Sequence, residues 1–305
     1  MKKILLTTTL AVLVIIGAYS IKLVTVNSNK SPFIRGVLEV FSKNEGVIYP
    51  KQKIGSLSFP VLSARAYLAV YEGGAGKRYL VMKNENQKLP IASITKITTA
   101  MVALNSSGAL LAQFGTSTIS DGSSGRYSAS DILPVKELVK SMLVESDNDA
   151  ARAICENESK NIIQRMNDFA NFSGAESTHF YNCTGLDGEW GGTNISTASD
   201  VAELMKTLIT KHPELVDIMT LPTAQILKMD GLLHHTAVST YEFIGQDLPF
   251  PIIGGKTGQT YMAKQNLVLA LQVPHGTLYI VVLGSDDREA DIRKLADYVK
   301  GDFEW

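Results

Sequence analysis

The chain has 305 residues, 45% of them hydrophobic, with Lys+Arg 29 against Asp+Glu 30 and a net charge of −1. That length accommodates one large core or two modest ones. The balanced charge, with no block of like sign, excludes an electrostatic footprint for nucleic acid or another polyelectrolyte.

In chain order, Lys2 and Lys3 precede an apolar run from Ile4 to Tyr19, broken only by Thr7, Thr8, Thr9 and Gly17. A positive stretch followed by an apolar one is the layout of an export signal, and Ala18-Tyr19-Ser20 supplies small residues for cleavage. Leu23 to Val26 extend the run past Lys22 towards spanning length. Residues 1–26 therefore read either as a signal peptide or as an uncleaved N-terminal membrane anchor. Both readings place the remainder outside the cytoplasm. Residues 27–62 are polar, carry Pro32, Pro50 and Pro60, and read as a spacer.

The folded body is expected over 63–305. Ala66 to Tyr71 reads as a strand, Gly73-Gly74-Ala75-Gly76 as a turn, and Arg78 to Met82 as the returning strand. Ile91 to Leu104 is apolar on nearly all faces and predicts a buried helix. Helices are expected over Val135 to Val144, Asp149 to Ile154, Asn161 to Phe172 and Ser199 to Ile209. Strands are expected at Ile252-Ile253, Leu267 to Val273 and Leu278 to Leu283, the last two joined by a turn at Pro274 to Thr277. Asp291 to Lys300 closes the chain as an amphipathic helix. About five strands linked mostly by hairpins predict an antiparallel sheet and an α+β fold.

Three motifs carry chemistry. Ser93-Ile94-Thr95-Lys96 is the single S-x-x-K in the chain, and it begins the apolar helix after Pro90. A serine hydroxyl is a poor nucleophile until a base takes its proton. A lysine three residues on, buried and near a helix N-terminus, has the lowered pKa that this needs. Ser146-Asp147-Asn148 sits where a loop meets a helix; Ser42-Lys43-Asn44 and Ser159-Lys160-Asn161 share its spelling, so context rather than pattern singles it out. A helix-capping cluster fits the same residues. Lys256-Thr257-Gly258 follows an apolar strand and two glycines, and offers a charge and a hydroxyl to a carboxylate. Cys155 and Cys183 read either as a bridge or as two buried thiols. His234 and His235, expected to point apart, read as structural or surface groups. No C-x-x-C and no metal-spaced cluster occurs.

In this order the three motifs are those of penicillin-binding proteins and class A β-lactamases. The chain resembles the D-alanyl-D-alanine carboxypeptidase family of low-molecular-mass penicillin-binding proteins from about Ser63 to Val299. The likeness rests also on Leu89 to Lys96, on Met166-Asn167, Ala170, Gly174, Thr178, Phe180, Asn182, Gly185 and Leu186, on Ser196-Thr197-Ala198 with Asp200, and on Val281 to Gly284. The resemblance implies a β-lactamase/transpeptidase-like fold, a five-stranded antiparallel sheet and a helical subdomain with the active site between them. It implies an acyl-enzyme at Ser93, Lys96 as base, Ser146 as proton relay, and Asn148 steadying Lys96 and the substrate amide. Lys256, Thr257 and Gly258 would bind the substrate carboxylate with help from Arg288, and the N–H groups of Ser93 and Gln259 would form the oxyanion hole. Peptidoglycan stem peptides, as pentapeptides or cross-linked, are the implied substrate. β-Lactam antibiotics are implied as acylating inhibitors, and no metal or organic cofactor is implied.

Two departures from the family stand out. Cys183 occupies a position where the family often has proline, and Ala263-Lys264-Gln265-Asn266 replaces a usual Ala-Gly pair. The chain ends about 47 residues past Gly258, which fits a single catalytic domain. Single-domain members include DD-endopeptidases, so cleavage of cross-links is the alternative activity. The E-x-x-L-N segment that lets a β-lactamase deacylate is missing between Asn148 and Lys256, so serine β-lactamase activity is a lesser alternative, beside a silent peptidoglycan-binding module.

Overall fold

The computed structural model describes residues 11–15, 21–25, 50–55, 59–74, 76–105, 111–115, 118, 126–158, 161–240, 243 and 248–305. Most of the expected leader and spacer lies outside these residues. Within 1–48, Ala11–Ile15 pairs antiparallel with Ile21–Thr25. Among the described residues no helix is long and apolar enough to cross a membrane.

The second compact unit, Tyr49–Trp305, holds the expected sheet. Its strands are β1 (Ala66–Gly73), β2 (Gly76–Lys83), β5 (Ile252–Thr260), β6 (Lys264–Val273) and β7 (Gly276–Ser285), all antiparallel in the order β5-β6-β7-β1-β2. A separate hairpin pairs β3 (Thr223–Leu227) with β4 (Leu233–Val238). The helices are α1 (Lys96–Leu104), α2 (Val135–Val144), α3 (Asn148–Asn157), α4 (Ile162–Phe172), α5 (Ala198–Lys211), α6 (Pro213–Met219) and α7 (Arg288–Asp302).

Why the central strands are apolar throughout follows from the pleat, because successive side chains point to opposite faces and both faces are covered. Ala66, Leu68 and Val70 of β1, with Tyr279, Val281 and Leu283 of β7, join the core formed with α1 to α6. Tyr67, Ala69 and Tyr71, with Leu278, Ile280 and Val282, face α7 through Ile292, Leu295 and Val299. Phe303–Glu304 then pairs with Lys51–Gln52 and ties the two ends of this unit together.

The β3–β4 hairpin corrects the reading of the adjacent histidines. Ile226 pairs with His235 but Leu227 with Leu233, so His234 is the extra residue of a bulge. A bulge re-aims side chains that strict alternation would separate. Both rings lie on one side, their centroids 5.0 Å apart.

The cysteines form a disulfide between α3 and the loop that follows α4, with Cα atoms 6.3 Å apart and a sequence separation of 28. Cross-linking a loop of that length restricts the unfolded chain by about 3–4 kcal/mol. The double replacement Cys155→Ser, Cys183→Ser is expected to lower the denaturant midpoint, and reductant is expected to lower the wild-type midpoint to match. Equal midpoints with and without reductant would refute the bridge.

Candidate active site

Ser93 lies in a 3₁₀ turn, Ala92–Thr95, and Lys96 caps that turn and opens α1. Side chains three apart eclipse in a 3₁₀ turn, and Lys96 Nζ stands 2.8 Å from Ser93 Oγ. Apart from the partly buried Leu104, the residues of α1 are buried, and Lys96 is 0% exposed. Its Nζ has two further partners, Asn148 Oδ1 at 2.8 Å and the Thr184 carbonyl at 2.7 Å. Burial pulls the Lys96 pKa down to about 7, against the opposing charges of Asp147 and Glu189. Three partners suit both protonation states. An ammonium donates to all three, while a neutral amine donates to Asn148 and Thr184 and accepts from Ser93 Oγ–H.

The second motif divides its labour. Glu145 ends α2, Ser146 takes φ +63°, and Asp147 caps α3 by accepting from Ala150 N at 2.8 Å. Capping and site-building thus fall to different residues of the motif. The left-handed turn at Ser146 is uncommon outside glycine and costs backbone strain. Burial raises the Asp147 pKa, despite the Ala150 N–H it accepts.

The third motif lies on β5, an edge strand whose outer rim faces the Ser93 turn. Lys256 is 1% exposed and donates to Ser146 Oγ at 2.9 Å and to its neighbour's carbonyl, Thr257 O, at 3.0 Å. Burial, then the charges of Lys96 and Arg288, push its pKa well below the ordinary lysine value. Thr257 Oγ1 meets Thr240 Oγ1 at 2.8 Å. A side chain on Gly258 would stand 2.7 Å from Ile91 O and 3.1 Å from Ser93 N, so glycine is what lets β5 close on the nucleophile. Gln259 follows it, exposed at the rim.

Arg288 opens α7. Its Nε donates to Glu289 at 2.7 Å, and its charge reaches Lys256. Lys264, in the segment that departs from the family, holds φ +54° and pairs with Asp286 at 2.7 Å. A lysine thus takes the left-handed backbone that a glycine adopts freely. Asn266 braces the same segment by donating to Pro90 O at 3.0 Å and accepting from Gly284 N at 2.7 Å.

The loop after α4 supplies parts that the motifs did not reveal. Asn182 Oδ1 accepts from Gly185 N at 2.7 Å, fixing the turn that aims the Thr184 carbonyl at Lys96. Glu189 accepts from Thr184 Oγ1 and pairs with Arg152 Nε at 2.5 Å; Arg152 also pairs with Asp149 at 2.9 Å. Asn182 and Gly185 were visible in the sequence as matched positions. A backbone carbonyl has no sequence signal of its own. Among the described residues no group of three or more His, Cys, Asp or Glu could hold a metal ion.

Comparisons with known proteins bear on the family and the fold. The chain is 27% identical over 241 residues to the D-alanyl-D-alanine carboxypeptidase DacF of Bacillus subtilis, covering 74% of this chain and 60% of that one. It therefore spans about three-fifths of that relative's length. A solved D-alanyl-D-alanine carboxypeptidase of Mycobacterium tuberculosis superposes with a TM-score of 0.70 at 25% identity, over 81% of this chain and 95% of that one. A penicillin-binding protein of Listeria monocytogenes, solved in its ampicillin-bound form, gives a TM-score of 0.69 at 25% identity, over 80% and 99%. The expected β-lactamase-like α+β fold is thereby established. Residues 55–287 match the model of the D-alanyl-D-alanine carboxypeptidase family, and the chain belongs to that family.

Proposed function

We propose that this chain is a penicillin-binding, serine-type D-alanyl-D-alanine carboxypeptidase acting on peptidoglycan stem peptides. The observation that carries the reading is the buried Lys96 amine, held between Ser93 Oγ, Asn148 Oδ1 and the Thr184 carbonyl.

Neutral Lys96 takes the proton of Ser93 as Oγ attacks the carbonyl of the penultimate D-alanine. The developing oxyanion lies between the N–H groups of Ser93 and Gln259. The Ser146 hydroxyl, bonded to Lys256, gives its proton to the departing amine of the terminal D-alanine and takes one in turn from the Lys96 ammonium, which restores neutral Lys96. Water then hydrolyses the ester, with Lys96 again as base. Lys256, Thr257 and Gly258, seconded by Arg288, receive the terminal carboxylate, whose charge favours the protonated form of the depressed Lys256. Asn148 holds the substrate amide.

Residues 1–26 act as export signal or anchor, 27–62 as spacer, and 63–305 as the catalytic domain. The enzyme works in the cell envelope, in the periplasm or on the outer face of the cytoplasmic membrane. The two lysines and the apolar run at the start of the chain support this. The supply of stem peptides gives it a part in peptidoglycan biosynthesis and cell shape.

The test is intact mass after mixing with benzylpenicillin. A lasting adduct is expected on the wild type and none on Ser93→Ala. An adduct lost within seconds would favour a β-lactamase, and no adduct a silent binding module. A muropeptide digest separates the peptidases: loss of terminal D-alanine supports the carboxypeptidase, while loss of cross-linked dimers would make it an endopeptidase.

A further inference from the structure

A buried polar chain lies just behind Ser146. Glu145 Oε1 stands 2.7 Å from His235 Nε2, His235 Nδ1 stands 2.7 Å from His234 Nδ1, and His234 Nε2 stands 3.4 Å from Asp131 Oδ2. Both imidazoles and the Glu145 carboxylate are almost fully buried. The ring of Tyr127 stacks on His234 at 5.2 Å and meets His235 edge-on at 5.6 Å. Ser141 Oγ, itself in contact with Tyr127 OH, donates to Glu145 Oε1 at 2.7 Å, and Arg126 pairs with Glu145 Oε2.

The contacts run in one unbroken series from Asp131 through both imidazoles to Glu145, so removing a nitrogen from either ring interrupts it.

Position gives this chain its leverage. Glu145 directly precedes Ser146, whose left-handed backbone needs support. The histidines lie on β4, and two residues past its end Thr240 donates its N–H to Val144 O at 3.2 Å while its hydroxyl meets Thr257 at 2.8 Å. One strand therefore touches the segments bearing the second and third motifs. The other charged groups facing it are Glu137, which accepts from Leu227 N, Lys140, which donates to Gln225 O, and Asp147, 3.8 Å from Arg126.

We propose that His234 and His235 form a clasp that positions Ser146 through Glu145. His235 and His234 are positioning residues: the clasp holds the relay serine and the carboxylate-binding strand in register. The proposal rests on the reading of Ser146 as relay.

The test compares benzylpenicillin acylation rates of the full chain in wild type, His235→Leu and His235→Gln. Leucine removes the bond to Glu145, and a fall of about tenfold is expected for one lost charge-assisted contact. A glutamine amide reaches as far as Nε2 and donates at any pH, so it recovers most of that loss. Acylation by His235→Gln as slow as by the leucine variant, or more than about tenfold below wild type where the leucine variant fails to fold, overturns the clasp, as does a leucine variant that acylates at the wild-type rate. Absence of acylation in the wild type would instead strike the functional reading. In that event nitrogen NMR of ¹⁵N-histidine-labelled protein decides: a scalar coupling across the Nδ1–Nδ1 contact, lost in His234→Gln, upholds the clasp, and its absence in the wild type refutes it.

Discussion

Alanine in place of Lys96 is expected to slow acylation of Ser93 by about ten-thousandfold, as much as alanine at Ser93 itself, because nucleophile and base act as a unit. The geometry gives the reason. Lys96 Nζ is the polar group seen at 2.8 Å from Ser93 Oγ, and it reaches there from a buried helix. The same burial predicts the pH dependence. Only the neutral amine can accept the serine proton, and its pKa is lowered to about 7. The acylation rate should therefore rise with pH, stand about tenfold below its plateau at pH 6, and level off above neutrality. Stopped-flow acylation measured against pH checks both statements. A rate flat from pH 5.5 to 8.5, or rapid acylation of Lys96→Ala, would remove Lys96 from the role of base.

Gly185→Ala is the second large effect. Gly185 has φ +87°, and a Cβ there would lie 1.9 Å from the Ala92 carbonyl oxygen and 2.9 Å from Ser93 N. Both partners are backbone, so nothing can swing aside. The substitution should cost on the order of 3 kcal/mol or more. It should also displace the nucleophile and the Thr184 carbonyl together, and slow acylation about a hundredfold in the molecules that do fold. Gly174 is the control. It shares a left-handed φ of +80° but has nothing within 4 Å of the added carbon. Gly174→Ala should cost only about 1–2 kcal/mol of backbone strain and leave acylation intact. Denaturant melts and penicillin acylation on both variants separate strain from collision. Similar losses in both would show that the close approach at Gly185 does not matter.

Where the sequence was legible, one physical pattern dominated its surroundings. The continuous apolar run of α1 foretold a buried lysine, and the apolar runs near the C-terminus foretold the strands of the sheet. The closing helix was legible from Ile292, Leu295, Ala296 and Val299 at helical spacing. Legibility failed where geometry belongs to the backbone or to partners far apart in the chain. The Thr184 carbonyl carries no residue signature. The left-handed turn at Ser146 is set by the end of α2 meeting the cap of α3. The His234 bulge depends on a register shift across a hairpin whose strands are short and half-exposed. Helix α6 also escaped notice, although Pro213 at its first turn is a known start signal.

The order of the sheet bears on when this protein becomes reactive. β7 pairs with β1, so the last strand of the sheet must find the first before either face of the core can close. The nucleophile is synthesised early and Lys256 late, and long-range packing of β5 on the Ser93 turn brings them together. Such a topology has high contact order, and loop-closure entropy is spent before native contacts repay it. An incompletely made or still unfolded chain therefore carries Ser93 with neither its carboxylate grip nor a desolvated base. The fold keeps its own nucleophile idle until the polypeptide has collapsed, a safeguard obtained from topology.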